Sequence, residues 1–161
     1  MDYEAGSARD VRRVLWRWGC IDRRIDELME QMRIAVDRAN SLYELGGSRP
    51  MDGMPHGSVT GDPVFRAVER IQQMRELFAE EIETCEEQIR QAQDFKAAIN
   101  EAVGQLSRIQ QDVLRLRYIG GHDWTYIGFK LYTSESNARR YDYQACVKLG
   151  KLIDVTKVER F

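Results

Sequence analysis

Proline is scarce in this chain and unevenly placed. Only three occur, Pro50, Pro55 and Pro63, so long stretches on either side contain nothing that forbids a helix. Cysteine is as sparse. Cys20, Cys85 and Cys146 stand far apart and form no C-x-x-C pair, which leaves no basis for a disulfide framework and fits reduced cytoplasmic thiols. No apolar run approaches the ~20 residues that cross a bilayer, and the opening MDYEAGSARD is too acidic and polar for a secretory signal. No membrane association is expected. Histidine occurs twice. His56 has only Asp52 and Asp62 nearby, too little for a metal, and His122 beside Asp123 is a turn pair rather than half a triad. No nucleophile–base pair, glycine-rich phosphate loop or paired carboxylates stand out. The expectation is therefore no enzyme, no cofactor and no metal.

What is present is helical periodicity. Val11, Val14, Trp18, Ile21, Ile25, Leu28, Met32, Ala35, Ala39 and Leu42 alternate spacings of three and four without exception, the 3.5-residue period of a coiled-coil seam. Leu15, Met29 and Val36 widen that stripe, as in a helix with more than one neighbour. A second pattern runs from Val64 to Leu106 through Val68, Ile71, Phe78, Ile82, Cys85, Ile89, Ala92, Ile99 and Val103. Arg75 and Lys96 interrupt it, with Met74 and Phe95 alongside to supply apolar contact. Two helices of about 36 and 40 residues would reach roughly 55–60 Å each. Between them, residues 46–62 contain five glycines and Pro50 and Pro55, and Pro63 follows directly. That stretch reads as a mobile loop joining an antiparallel hairpin.

The last third changes character. The net charge of −2 hides an asymmetry, because residues 105–161 hold ten Lys and Arg against six Asp and Glu, while the remainder holds 14 against 20. Gly104 marks a break. Leu106-Ser107 then reads as a helix start, VLRLRY at 113–118 as one amphipathic helix, and Gly120-Gly121 as its end. Asp123 can cap a short helix from Trp124 to Leu131, because its carboxylate accepts otherwise orphaned backbone N–H groups. The four residues Tyr132-Thr133-Ser134-Glu135 form a turn into a final helix. Two helices joined so tightly cross steeply, which suits the second to a DNA major groove. Ala138, Tyr141, Ala145, Leu149 and Leu152 fall on its inward face and leave Ser136, Asn137, Arg139, Arg140 and Tyr143 outward. Arginine pairs with guanine and asparagine with adenine through their major-groove edges. Thr133 and Ser134 at the helix start can hold a phosphate.

Leu106-Ser107, VLRLRY at 113–118, Trp124, Ile127-Gly128, Leu131, Ser134, Arg139-Arg140, Ala145 and Lys148-Leu149 resemble region 4 of sigma-70 factors, the promoter-reading domain. The match runs without a gap from Ile127 to Leu149. It departs at Tyr126, where sigma-type helices carry an acidic residue, so contacts made from that position are not carried over. The resemblance implies that Glu135, Ser136, Arg139 and Arg140 face DNA. A long helical hairpin ahead of such a tail is similar to late-gene transcription regulators of phages of Gram-positive bacteria, the ArpU and RinA type.

The fold expected is thus all-α, a long antiparallel coiled-coil hairpin at 1–104 followed by a trihelical helix-turn-helix at 105–161. The function expected is a phage- or prophage-encoded, cytoplasmic regulator that binds double-stranded DNA with the helix 134–152. Its DNA-binding residues would be Thr133, Ser134, Glu135, Ser136, Asn137, Arg139, Arg140 and Tyr143. A local charge excess this modest favours a homo-oligomer, a dimer first, with RNA polymerase as a further candidate partner. Two rival readings are a small-terminase-like DNA-packaging adaptor and a protein that binds polymerase or a sigma factor without touching DNA.

Overall fold

A computed structural model describes residues 2–46 and 63–153. The expected mobile loop 46–62, with His56, lies outside the described residues except for Gly46, as does the tail after Ile153. All regular structure among the described residues is helical: α1 (Asp2–Gly19), α2 (Ile21–Gly46), α3 (Pro63–Gly104), α4 (Arg108–Leu114), a π-helical turn (Arg115–Ile119), α5 (Trp124–Lys130) and α6 (Glu135–Leu152). None of the described helices is long and apolar enough to cross a membrane.

The first apolar rod is interrupted where its periodicity shows no sign of it. At Cys20 the backbone N–H bonds to Arg17 O, three residues back, before α2 resumes. The cause is packing at Gly19. A Cβ there would lie 1.9 Å from the carbonyl oxygen of Tyr118, so the helix presses on the backbone of the π-helical turn at a residue that must lack a side chain. Gly104 ends α3 as the sequence suggests, and Ser107 opens α4, where its N–H donates to Gln110 Oε1 at 3.3 Å.

The chain divides into two compact units, one of residues 1–25 with 90–161 and one of residues 26–89. This division does not follow a cut at 104/105. α1, which the heptad pattern assigns to the hairpin, packs on α6 and on the π-helical turn. Val11, Val14, Leu15, Trp18, Ile99, Val103, Leu106, Val113, Leu114, Ile127, Ala138, Ala145 and Leu149 form the buried interior of the first unit. Within it, Trp18 Nε1 donates to Asn100 Oδ1 at 2.9 Å, Lys96 Nζ to Asp22 Oδ1 at 2.5 Å, and the Arg17 guanidinium lies 5.2 Å from the Phe95 ring centre. Phe95 is buried beside the seam position of Lys96, as expected.

The second unit is thinner. Leu28, Ala35, Cys85 and Ile89 are buried, but Met32, Ala39, Leu42, Ile71, Phe78 and Ile82 are only half-buried. Met74, expected to supply apolar contact beside Arg75, is exposed. Arg75 instead sends an Nη to the backbone carbonyl of Leu42, 3.1 Å away.

Candidate nucleic-acid interface

The segment from 105 onward is shaped by local signals that its residues carry. Asp123 caps α5, its carboxylate accepting from Tyr126 N–H at 2.7 Å. Ser134 caps α6, its Oγ accepting from Asn137 N–H at 3.2 Å. Between them Leu131 N–H bonds to Ile127 O and Thr133 N–H to Gly128 O at 2.9 Å, with Tyr132 in the left-handed region at φ +52°. The turn folds back onto Gly128 closely: a Cβ there would meet Thr133 O at 3.0 Å and Glu135 N at 3.2 Å. α5 thus ends and α6 begins over a few residues, with the two helices in contact around Val113, Ile127 and Ala138. Leu116, Trp124, Leu131 and Tyr141 pack against that cluster, so Trp124 is mainly a core residue.

Of the eight residues expected to meet DNA, Ser134, Glu135, Ser136, Arg139, Arg140 and Tyr143 are exposed, while Thr133 and Asn137 are half-buried. They do not share one role. Glu135 accepts from both Nε and Nη2 of Arg139, at 3.1 and 2.5 Å, and from Thr125 Oγ1 at 3.2 Å, so it ties α5 to α6. Arg139 also lies over the Trp124 ring, 5.7 Å from its centre. Arg140 has no carboxylate partner among the described residues and rests its guanidinium 5.9 Å from the Tyr141 ring. The cap and the turn already use Ser134 Oγ as acceptor and Thr133 N–H as donor. Leu152, expected inward, is instead 47% exposed at the helix end.

Sequence reasoning missed a buried polar cluster behind this face. Asp142 is 1% exposed on the inner side of α6. Its Oδ2 accepts from Nε and Nη2 of Arg12, at 3.2 and 3.1 Å, and its Oδ1 from the Tyr118 hydroxyl at 2.9 Å. A carboxylate removed from water needs such partners, and here they come from α1 and from the π-helical turn. Burial, then the nearby Asp142 charge, pushes the Tyr118 phenol well above its ordinary range and the Cys146 thiol up to about 12. A signal was available. Asp142 sits at i+4 from Ala138 and i−3 from Ala145, on the same stripe as Leu149, so it required a cation from elsewhere in the chain.

In front of Asp142 lies a cavity of about 300 Å³ walled by α1, the π-helical turn, α5 and α6. The Arg117 guanidinium lies between two indoles, 5.4 Å from the Trp16 ring centre and 4.8 Å from that of Trp124, and donates to His122 O at 2.9 Å. Trp16 also meets Tyr118 edge-on at 5.1 Å. A further unforeseen feature is aromatic: Tyr126, Phe129 and Tyr132 are exposed at 41%, 79% and 98% on and just after α5. No cluster of His, Cys, Asp and Glu among the described residues could hold a metal.

No family model, curated protein or solved structure matches this chain.

Proposed function

We propose that this protein is a sequence-specific regulator that binds double-stranded DNA, with α5, the turn and α6 acting as a helix-turn-helix of the sigma region 4 kind. The observation that carries this reading is the outer face of α6, where Arg140, Ser136 and Tyr143 are exposed while Ala138, Ala145 and Leu149 anchor the opposite side. A helix fixed in this way by caps at Asp123 and Ser134 can lay that face into a major groove. Arg140, with no carboxylate partner among the described residues, is the strongest candidate for a base edge. Arg139 is held by Glu135 and Trp124, which suits a residue that orients the helix or meets a backbone phosphate. The phage late-gene regulators that the sequence resembles supply the biological setting of this proposal.

The hairpin belongs to the same proposal. In the first unit Trp18 reaches Asn100 and Asp22 reaches Lys96; in the second, Leu42 reaches Arg75. Within the first unit the two pairings run in opposite directions, 18 with 100 and 22 with 96, which supports an antiparallel arrangement there. Such a hairpin would bring two DNA-reading helices together in a dimer, on neighbouring half-sites.

The test is a gel shift on fragments selected from random duplex DNA. Arg140→Ala is expected to weaken specific binding by ~1–3 kcal/mol and to relax one position of the site, while Arg139→Ala weakens all sequences more evenly. Wild-type binding by both variants, or no selected site at all, would remove the assignment.

A further inference from the structure

The cavity between α1 and α6 contains one charge too many. Three arginines reach it, and two are neutralised by carboxylates: Arg12 by Asp142, and Arg139 by Glu135. Arg117 is not. It is half-buried, and among the described residues it has no carboxylate partner; its contacts are the Trp16 and Trp124 rings and the His122 carbonyl. The indoles return part of the lost hydration through their ring faces but bring no negative charge. A guanidinium presents five N–H donors in a planar fork, and among the described residues only one hydrogen bond from it, to His122 O, is formed.

We propose that this cavity binds a small organic anion with a flat aromatic body, its carboxylate or phosphate held by Arg117. The volume is at the lower end of small-ligand sites, which run from roughly 300 to 1,000 Å³, and this suits a molecule no larger than a mononucleotide. The lining is more polar than apolar, and its aromatic side chains are what would meet the body of such a molecule. Trp16, Trp124 and Tyr118 supply apolar and aromatic surface, while Trp16, at 44% exposure, leaves a side of the site accessible. Arg12 and Arg139 frame the site with their charge already spent, so the charge left to match is that of Arg117. This inference does not rest on DNA reading, since Arg117, Trp16 and Trp124 are not among the residues proposed to meet DNA; Arg139 alone belongs to both sets.

Tryptophan fluorescence provides the test, because two of the three indoles line the cavity and the third, Trp18, is buried elsewhere in the same unit. Adenosine monophosphate and benzoate are titrated into the full chain, with adenosine and inorganic phosphate as the two halves of the chemistry. The aromatic anions should quench saturably; adenosine should bind about tenfold or more weakly because it lacks the charge-assisted hydrogen bonds, and phosphate about tenfold or more weakly because it lacks the aromatic body. Arg117→Gln should lose about tenfold in affinity for the same reason, while Lys130→Gln, on exposed α5, should match wild type. If Arg117→Gln loses its helical circular dichroism, Arg117→Lys carries the test. It keeps the charge but not the fork, and should bind several-fold more weakly. The proposal is overturned if neither aromatic anion quenches, or if phosphate alone binds as tightly as they do. Equal binding by wild type and the folded Arg117 variant would also overturn it. A short duplex distinguishes a free anion from a DNA phosphate: loss of duplex affinity in the variant, with no response to small anions, would assign Arg117 to the DNA backbone and overturn it too.

Discussion

The two compact units carry the same three-and-four apolar spacing, yet they cover it very differently. In the unit of residues 1–25 and 90–161 the seam is sealed: Ile99 is 0% exposed and Val103 2%. In the unit of residues 26–89 the same pattern is half-covered, and Val68, a seam position, is 57% exposed. Met29 and Val36, which widen the stripe in the way Leu15 does, are exposed where Leu15 is fully buried. The difference lies in the number of layers. The described residues of the second unit form two helices, which cannot surround each other's apolar stripes, whereas α1 and the end of α3 share a unit with α4, the π-helical turn, α5 and α6. Periodicity states which side of a helix wants cover; it does not state how many neighbours provide it.

Paired substitutions test that contrast most strongly. Ile99→Ala should cost about 4 kcal/mol, in the usual range for emptying a closed site, and Ile82→Ala, in the half-covered seam, about 1 kcal/mol. Urea unfolding followed by circular dichroism measures both. The contrast breaks if the two costs are equal and the cost at Ile82 grows with protein concentration, since a second copy would then be covering residues 26–89.

Next in size is Gly19. Gly19→Ala puts a carbon 1.9 Å from a backbone oxygen that cannot rotate away, so α1 must move off the π-helical turn. The expected loss is about 3 kcal/mol, at the upper end for overpacking. It should appear in tryptophan fluorescence, because Trp16, Trp18 and Trp124 all belong to the first unit. Asp142→Ala follows at about 2 kcal/mol, the cost of leaving the buried Tyr118 hydroxyl without its acceptor. Asp142→Asn, which keeps an acceptor, should recover part of that. An unfolding midpoint unchanged in Asp142→Ala would show that the cluster does not hold α1 to α6.

These residues also mark how far the sequence was legible. Elements with local causes were readable: the caps at Asp123 and Ser134, the breaks at Gly104 and Gly120-Gly121, and the buried stripe of Ala138, Ala145 and Leu149 each follow from a few neighbouring side chains. The outward placement of Arg139 and Arg140 came from the same periodicity. What escaped depends on distant partners. That α1 packs on the π-helical turn rests on Gly19 meeting Tyr118, and that it packs on α6 on Arg12 meeting Asp142, 130 positions away; no spacing rule encodes either. The π-helical turn was read as ordinary helix because VLRLRY is amphipathic in both geometries. Its wider turn closes with the bond from Gly120 N–H to Arg115 O, five residues back.

The smallest effects concern the thiols, and they bear on the same contrast. Cys20 is exposed, whereas Cys85 in the thin unit and Cys146 in the sealed one are buried. Cys20 should alkylate at once in native protein. As urea rises, Cys85 should follow before Cys146, because local opening begins where apolar cover is least; the reverse order would contradict the reading of residues 26–89 as the weaker unit. Alkaline pH acts on the other side of the comparison. The folded state holds Cys146 neutral up to about 12, and it holds Tyr118 neutral as well, whereas unfolded chains release those protons near the ordinary values of 9 and 10. A raised folded-state value stabilises fully below the unfolded value and is lost as pH climbs towards the folded one. The first unit should therefore weaken progressively from about pH 9 to 12. Cys146→Ala removes the thiol's share of that slope, so tryptophan-monitored unfolding of this variant should depend less steeply on alkaline pH than the wild type does.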